Sequence, residues 1–158
     1  MSVQTAQGRA YRQTGEVPDP PASTTARALF SVLAGVAVWI GGWAEVAPRS
    51  FYLSFPGFGR NWIAPLGPYN EHLLRDLGGL NLGLAAAAVV AAVALTRSAA
   101  ICAAAAWLVY SVPHLVFHAF HTEPFTGIDN AVTLASLVAP IVAPLAATVL
   151  VWRASRRL

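Results

Sequence analysis

Four long apolar runs alternate with short polar segments along the chain. The runs cover 26–46, 77–95, 99–120 and 131–152. Each is close to the ~20 residues that an α-helix needs to span ~30 Å of hydrocarbon. The turns before and after the third run are short, so successive helices are expected to lie antiparallel. The pattern therefore predicts an all-α membrane protein, folded as an antiparallel four-helix transmembrane bundle.

The composition supports the same fold class. Of 158 residues, 56% are hydrophobic and only 11% are charged, and the mean hydropathy is +0.57. This fraction of charged residues is too small to cover the surface of a soluble domain. The predicted environment is therefore the lipid bilayer. We expect a flexible cytoplasmic tail at 1–25, a transmembrane domain at 26–152 and a basic cytoplasmic tail at 153–158. The single cysteine, Cys102, excludes an intramolecular disulfide.

The ten basic residues are all arginine, and most of them fall on one side of the predicted bundle. Seven flank the same ends of the apolar runs: Arg9, Arg12, Arg27, Arg97, Arg153, Arg156 and Arg157. The positive-inside rule makes that side cytoplasmic. This predicts a multi-pass protein of the cell membrane with both termini cytoplasmic. The arginines are not interleaved with aromatic residues as in a groove for nucleic acid, so no nucleic-acid partner is expected.

The connection between the first and second runs is rich in aromatic residues. Positions 48–70 contain Phe51, Tyr52, Phe55, Phe58, Trp62 and Tyr69. Such rings are favoured at the level of the lipid headgroups. The segment is predicted to be an aromatic extracytoplasmic loop. It is either an interfacial belt or a lid over a pocket, and in the second case Trp62 is a candidate ligand-binding residue.

Ionisable residues gather at one end of the predicted helices. Glu45 closes the first run, "NEHLLRD" (70–76) opens the second, three of the four histidines close the third, and Asp129 opens the fourth. Because such residues are costly inside a membrane, we predict a polar outer-leaflet pocket walled by the second and third helices. Its candidate catalytic residues are His118, His114, Asp76, Glu71 and His72, and its candidate cofactor-binding residues are Trp62, Arg75 and Asn81.

The start of the second helix carries two pairs of an acidic and a basic residue, Glu71 with Arg75 and His72 with Asp76. The residues of each pair are four positions apart and so lie on one helical face. Glu71 and Arg75 either serve the pocket or lock the fold. The face that carries Asp76 continues to Gly79 and Gly83. Glycines let another helix approach closely, so this face is predicted to contact the bundle.

The histidines of "HLVFHAFH" (114–121) lie on one face of the third helix. His114 and His118 are four residues apart and could share one divalent metal ion if another helix supplied a third ligand. They could instead act as acid/base groups or form structural hydrogen bonds. His121 is expected to cap the helix end. A b-type haem between His72 and one of these histidines is a further alternative.

Three segments resemble a known group of proteins: "PRSFYLSFPGFGRNW", "GPYNEHLLRDLGGLNLGLA" and "VPHLVFHAFH" followed by an aspartate. The resemblance, over 26–152, is to small four-helix integral membrane proteins of actinobacteria that are DoxX-like in size and helix count. It implies a link to redox or envelope homeostasis. It implies no role for any individual residue.

Two hypotheses for the function follow from these patterns. In the first, the protein is an enzyme or binding protein for a lipophilic small molecule of the isoprenoid or quinone type, using acid/base groups or a bound metal. In the second, it is a non-catalytic accessory subunit of a larger redox or envelope complex, or a homo-oligomer. Its Ala/Gly-rich helices would then pack against partners and its polar cluster would hold its own fold.

Overall fold

The computed structural model describes residues 20–122, 125 and 127–155. Its elements are helix α1 (Pro20–Val46), helix α2 (Pro48–Ser54), strands β1 (Pro56–Gly57) and β2 (Arg60–Asn61), a 3₁₀ turn (Ala64–Leu66), and helices α3 (Glu71–Ala94), α4 (Arg97–Phe120) and α5 (Gly127–Ala154). Most of the predicted N-terminal tail and the last three residues of the basic C-terminal tail lie outside the described residues.

Four of the helices are long and apolar enough to cross a membrane. These spans are Ser23–Val46, Glu71–Ala94, Arg97–Phe120 and Gly127–Ala154, with 24 to 28 residues each. The predicted all-α membrane bundle is therefore confirmed, and the chain is a multi-pass membrane protein.

The helices extend further than the apolar runs predicted. α1 begins at Pro20, α3 at Glu71 and α5 at Gly127. The reason is visible in α3, where the Asn70 side chain caps the helix by accepting a hydrogen bond from the Leu73 backbone N–H at 3.1 Å. The polar segment that opens the helix is thus its first turns, which a criterion based on hydrophobicity leaves out.

Each long helix packs against two others. α1 and α4 both lie between α3 and α5. The contacts run in opposite directions along neighbouring helices: Gly41 of α1 lies against Leu82 of α3, and Glu45, one turn later, lies against Gly78. Arg97 at the start of α4 donates to the Ser155 hydroxyl, directly after α5, at 2.7 Å. The bundle therefore has one end at which α1 and α4 finish and α3 and α5 begin, here named the polar end.

α1 and α3 approach each other closely where they cross at Gly41 and Gly78. A Cβ placed on Gly41 would come within 2.8 Å of the Gly78 carbonyl oxygen, so only glycine fits there. The prediction that Gly79 and Gly83 mark the contact face was wrong for Gly83, whose Cβ would meet nothing within 4 Å. Asp76, Gly79 and Gly83 are exposed, whereas Leu74 and Gly78 are buried. The buried face of α3 therefore carries Gly78 rather than Gly79.

Two apolar clusters fill the bundle. The alanine core joins all four long helices and contains Ala26, Phe30, Leu33, Ala34, Ala37, Leu84, Ala85, Ala88, Ala91, Ala92, Ala100, Ala103, Trp107, Ala147 and Val151. The aromatic cluster lies at the polar end and comprises buried Ala44, Phe51 and Leu74 with half-buried Ile40, Trp43, Tyr52, Phe55, Ile63, Tyr69 and Leu77. Every member of the aromatic cluster comes from α1, α3 or the segment between them.

Candidate functional site

A charged cluster ties α3 to α1 at the polar end. The Arg75 guanidinium donates to Glu71 Oε1 at 2.8 Å and to the Glu45 backbone carbonyl. The Tyr69 hydroxyl donates to the other Glu71 oxygen at 3.2 Å. Partial burial raises the pKa of Tyr69 above its ordinary value. The hydrogen bond to Glu71 and the negative charge of Glu71 raise this pKa further. Of the two roles that the sequence left open for Glu71 and Arg75, this geometry favours locking the fold.

The second predicted pair of α3 lies on the outside of the bundle. His72 Nε2 is 3.4 Å from Asp76 Oδ2, and the two side chains are 87% and 62% exposed. Within the described part of the chain, neither side chain forms a hydrogen bond, ion pair or ring contact with a histidine of α4. The structure thus does not join this pair to the histidines in one site.

The histidines of α4 are packed in a continuous row of rings. The Tyr110 ring stacks on His114 with centroids 5.3 Å apart, and the His114 and His118 rings meet edge to face at 4.9 Å. Phe117 packs against His118 at 5.5 Å. His121 continues the row by stacking on Phe117, with centroids 4.1 Å apart. Its Nδ1 bonds to the Phe117 carbonyl at 2.8 Å, as expected for a residue that caps the helix end.

A groove of about 430 Å³ lies between α3 and α4 on the side of this row. It is lined by Leu80, Ala106, Val109, Tyr110, Pro113 and His114. Val109 is 77% exposed, so the groove opens sideways, towards the lipid that surrounds a membrane protein. Below it, the buried Trp107 holds the two helices together by donating from Nε1 to the Leu84 carbonyl at 3.2 Å.

The polar atoms of the groove belong to Tyr110 and His114. The Tyr110 hydroxyl lies beside the side chain of Asn81, which is buried and donates to the Leu77 carbonyl at 2.9 Å. Asn81 was predicted as a binding residue, and the structure places it behind the groove as a partner of Tyr110. Sequence reasoning missed Tyr110, although its position four residues before His114 puts it on the same face.

Three buried polar atoms have no hydrogen-bond partner among the described residues. They are Ser111 Oγ, His118 Nδ1 and Thr133 Oγ1, and the three residues are 2%, 8% and 5% exposed. Ser111 and His118 belong to α4, and Thr133 belongs to α5. Thr133 was not singled out by the sequence, because a lone threonine in an apolar helix carries no signal until its neighbours are known.

The aromatic segment packs on α1 and is tied to α5. Its Phe55 ring lies 5.5 Å from Trp39 and 6.2 Å from Trp62. Arg60 forms an ion pair with Asp129, at the start of α5, and Trp62 Nε1 donates to the same carboxylate oxygen at 3.2 Å. Trp62, predicted to bind a ligand, thus binds Asp129, and the residues that line the groove all come from α3 and α4.

No metal centre is assembled by the described residues. Within 20–122, 125 and 127–155, no group of three His, Cys, Asp or Glu residues could hold a metal ion. The shared metal at His114 and His118, and a haem between His72 and α4, stay predictions from the sequence.

Comparison with known proteins gives no further assignment. The chain matches no protein-family model, and neither a curated protein nor a solved structure is significantly similar to it.

Proposed function

We propose that this membrane protein binds a lipophilic small molecule with a neutral, planar head of the quinone type in the groove between α3 and α4. The observation that carries the proposal is the Tyr110–His114 ring stack, which lines an apolar groove that is open to the lipid. The volume of about 430 Å³ lies in the range of small-molecule sites, which are mostly apolar with a few oriented polar groups.

The chemistry of the lining residues selects the head of the ligand. None of the six lining residues is an arginine or a lysine, and the chain contains no lysine. A diphosphate head, as in activated isoprenoids, needs cationic partners. A quinone needs only donors for its carbonyl oxygens and a flat surface for its ring, which the Tyr110 hydroxyl and the His114 imidazole supply. Of the two ligand types considered from the sequence, the groove therefore favours the quinone type.

The direction of entry follows from the shape of the groove. Because its mouth faces lipid, a hydrophobic tail can remain in the bilayer while the head moves in between Leu80 and Pro113. Pro113 cannot donate a backbone hydrogen bond to the preceding turn, so α4 is expected to bend beside the groove. Binding would then require no opening of the alanine core.

The proposal is tested by titrating the purified protein in lipid nanodiscs with a short-tailed benzoquinone. Tyr110→Phe removes one hydroxyl and should weaken binding about 2- to 10-fold, the effect of one neutral hydrogen bond. Tyr52→Phe is the matched control, because the Tyr52 hydroxyl donates to the Gly67 carbonyl at 2.8 Å, outside the groove. Geranyl diphosphate should bind more weakly than the quinone.

A wild-type protein that does not bind the quinone would contradict the proposal. If that protein instead purified with a stoichiometric membrane partner, the accessory-subunit hypothesis would replace it. Equal losses in Tyr110→Phe and Tyr52→Phe would show that the effect comes from the fold rather than from the groove.

For the orientation, we propose that the polar end faces the extracytoplasmic side. Arg27, Arg97 and Arg153 lie at the opposite end of the bundle, which supports a cytoplasmic location for that end. In a Cys102→Ala background, a cysteine at Pro65 should react with an impermeant thiol reagent added outside intact cells, and one at Ser98 should not. The reverse labelling would overturn this orientation.

A further inference from the structure

The polar-end halves of α4 and α5 lack an apolar core of their own. On α4 the alanine core ends at Trp107, with Tyr110 packed against it, and on α5 its members begin at Ala143. The aromatic cluster has no member in either helix. The buried residues in the polar-end halves of these two helices are Ser111, His118 and Thr133, and the side chains of all three have a polar atom.

His118 and Thr133 lie at similar depths on the two helices. Near the opposite end, Thr148 Oγ1 donates to the Ala100 carbonyl at 3.2 Å, which fixes the register of α4 against α5. Counting at 1.5 Å per residue from this contact, His118 is about 27 Å along α4 and Thr133 about 22 Å back along α5. The two residues are therefore within about one helical turn of each other along the bundle.

Both side chains face the interior of the bundle. Thr133 lies on the stripe of α5 that also carries Pro144, Ala147 and Val151, all buried. The described rings around His118 are those of His114, Phe117 and Phe125. Phe125, which follows α4 at the polar end, is itself buried, and its ring lies 6.4 Å from that of His118. The benzyl rings of the two phenylalanines offer a polar atom no hydrogen-bond partner, and a buried polar atom without a partner destabilises the fold.

We propose that His118 Nδ1 and Thr133 Oγ1 form one buried site that binds an internal water molecule between α4 and α5. A water molecule needs two or more polar partners in a space that excludes bulk solvent. The threonine hydroxyl can both donate and accept a hydrogen bond, and an imidazole nitrogen can donate or accept one, so the two side chains can bind a water molecule. The same bridge would satisfy both atoms, which have no hydrogen-bond partner among the described residues.

The water site also makes His118 a positioning residue for the groove. The His118 and His114 rings meet edge to face, with centroids 4.9 Å apart, and His114 lines the groove. A bridging water that fixes the orientation of His118 therefore restricts His114 as well. This second step rests on the proposed function, whereas the water site does not.

Solid-state NMR of ¹⁵N-histidine-labelled protein in lipid bilayers tests the site. Polarisation transfer from water to the ring nitrogens reports which imidazoles contact water, and His118→Gln identifies the His118 signal. We expect transfer to His118 in the wild type. We expect the transfer to be lost in Thr133→Val, which has nearly the same shape but no hydroxyl, and to be kept in Thr133→Ser.

The control is Ser111→Ala, which removes a different buried hydroxyl about 10.5 Å along α4 from His118, and it should leave the transfer unchanged. Absence of transfer in the wild type would overturn the water site. So would transfer that survives in Thr133→Val, because His118 would then be hydrated without Thr133.

The affinity of the short-tailed benzoquinone tests the positioning step separately. Thr133→Val should weaken binding about 2- to 10-fold, and Thr133→Ser should restore it. Unchanged affinity in Thr133→Val, with the NMR result as expected, would overturn only the positioning role. A wild type that binds no quinone but shows the water contact would reject the proposed function and leave the water site standing.

Discussion

The two ends of the bundle are built on different principles. At the level of the alanine core, polar side chains of one helix donate hydrogen bonds to backbone carbonyls of a neighbouring helix. Trp107 donates to Leu84, and Thr148 donates to Ala100. At the polar end, α1 and α3 are closed by rings and by the Arg75 cluster, whereas α4 and α5 keep His118 and Thr133 buried without a described partner.

This difference separates the part that holds the fold from the part that is available for chemistry. Small side chains let helices approach closely, and dispersion contacts stabilise them in lipid without a hydrophobic driving force. A site needs the opposite, which is space and polar atoms that are not already used. The polar-end halves of α3, α4 and α5 provide both, in the groove and in the buried His118–Thr133 site.

The largest effect is expected at the crossing of α1 and α3. Gly41→Ala places a Cβ against the Gly78 carbonyl, where backbone atoms cannot yield, and should destabilise the protein by about 1–3 kcal/mol. The measurement is unfolding by denaturing detergent in mixed micelles. Gly83→Ala, whose Cβ meets nothing within 4 Å, is the control and should be neutral or stabilising. Equal losses in both variants would contradict the crossing.

A smaller effect should distinguish paired from unpaired hydroxyls. Thr148→Val removes a hydroxyl whose one hydrogen is shared between the carbonyls of Pro144 at 2.8 Å and Ala100 at 3.2 Å, and it should cost about 0.5–1.5 kcal/mol in the same unfolding assay. Ser111→Ala removes a hydroxyl with no described partner and should cost less, or stabilise the fold. A larger loss for Ser111→Ala would show that the polar-end half of α4 also holds the fold.

The smallest effect is expected from the surface charges of the polar end. Asp129→Asn weakens the tie of Arg60 and Trp62 to α5 and should cost about 0.2–1 kcal/mol, since both partners of the ion pair are partly exposed. Asp76→Asn breaks the exposed pair with His72 and should change the unfolding midpoint little. If the two variants behaved alike, the tether would be no more than a surface contact.

The sequence predicted the parts of the fold that depend on one helix at a time. Run length predicted the spans, and the distribution of ionisable residues predicted which helix ends are polar. The contact face of α3 was assigned wrongly, because glycines at 78, 79 and 83 offer two faces that differ by one position. Only the approach of α1 at Gly41 decides between them.

The site was less predictable, because it depends on how residues of different helices are matched in depth. Spacing within α4 shows that His114 and His118 share a face. It does not show that Thr133 of α5 lies near the level of His118, or that His72 and Asp76 of α3 are exposed. Those relations depend on helix register, which is set by the contact of Trp107 below the groove and by that of Thr148 near the opposite end of the bundle.

The central claim is that the groove between α3 and α4 is a binding site for a neutral lipophilic molecule. The most direct test is photo-crosslinking in lipid nanodiscs with a benzoquinone that carries a photoreactive alkyl tail, followed by mass spectrometry of the labelled peptides. We predict adducts on α3 near Leu80 and on α4 between Ala106 and His114, and their loss when unlabelled benzoquinone is added. Adducts spread over the lipid-facing sides of α1 and α5, and unaffected by the competitor, would contradict the claim.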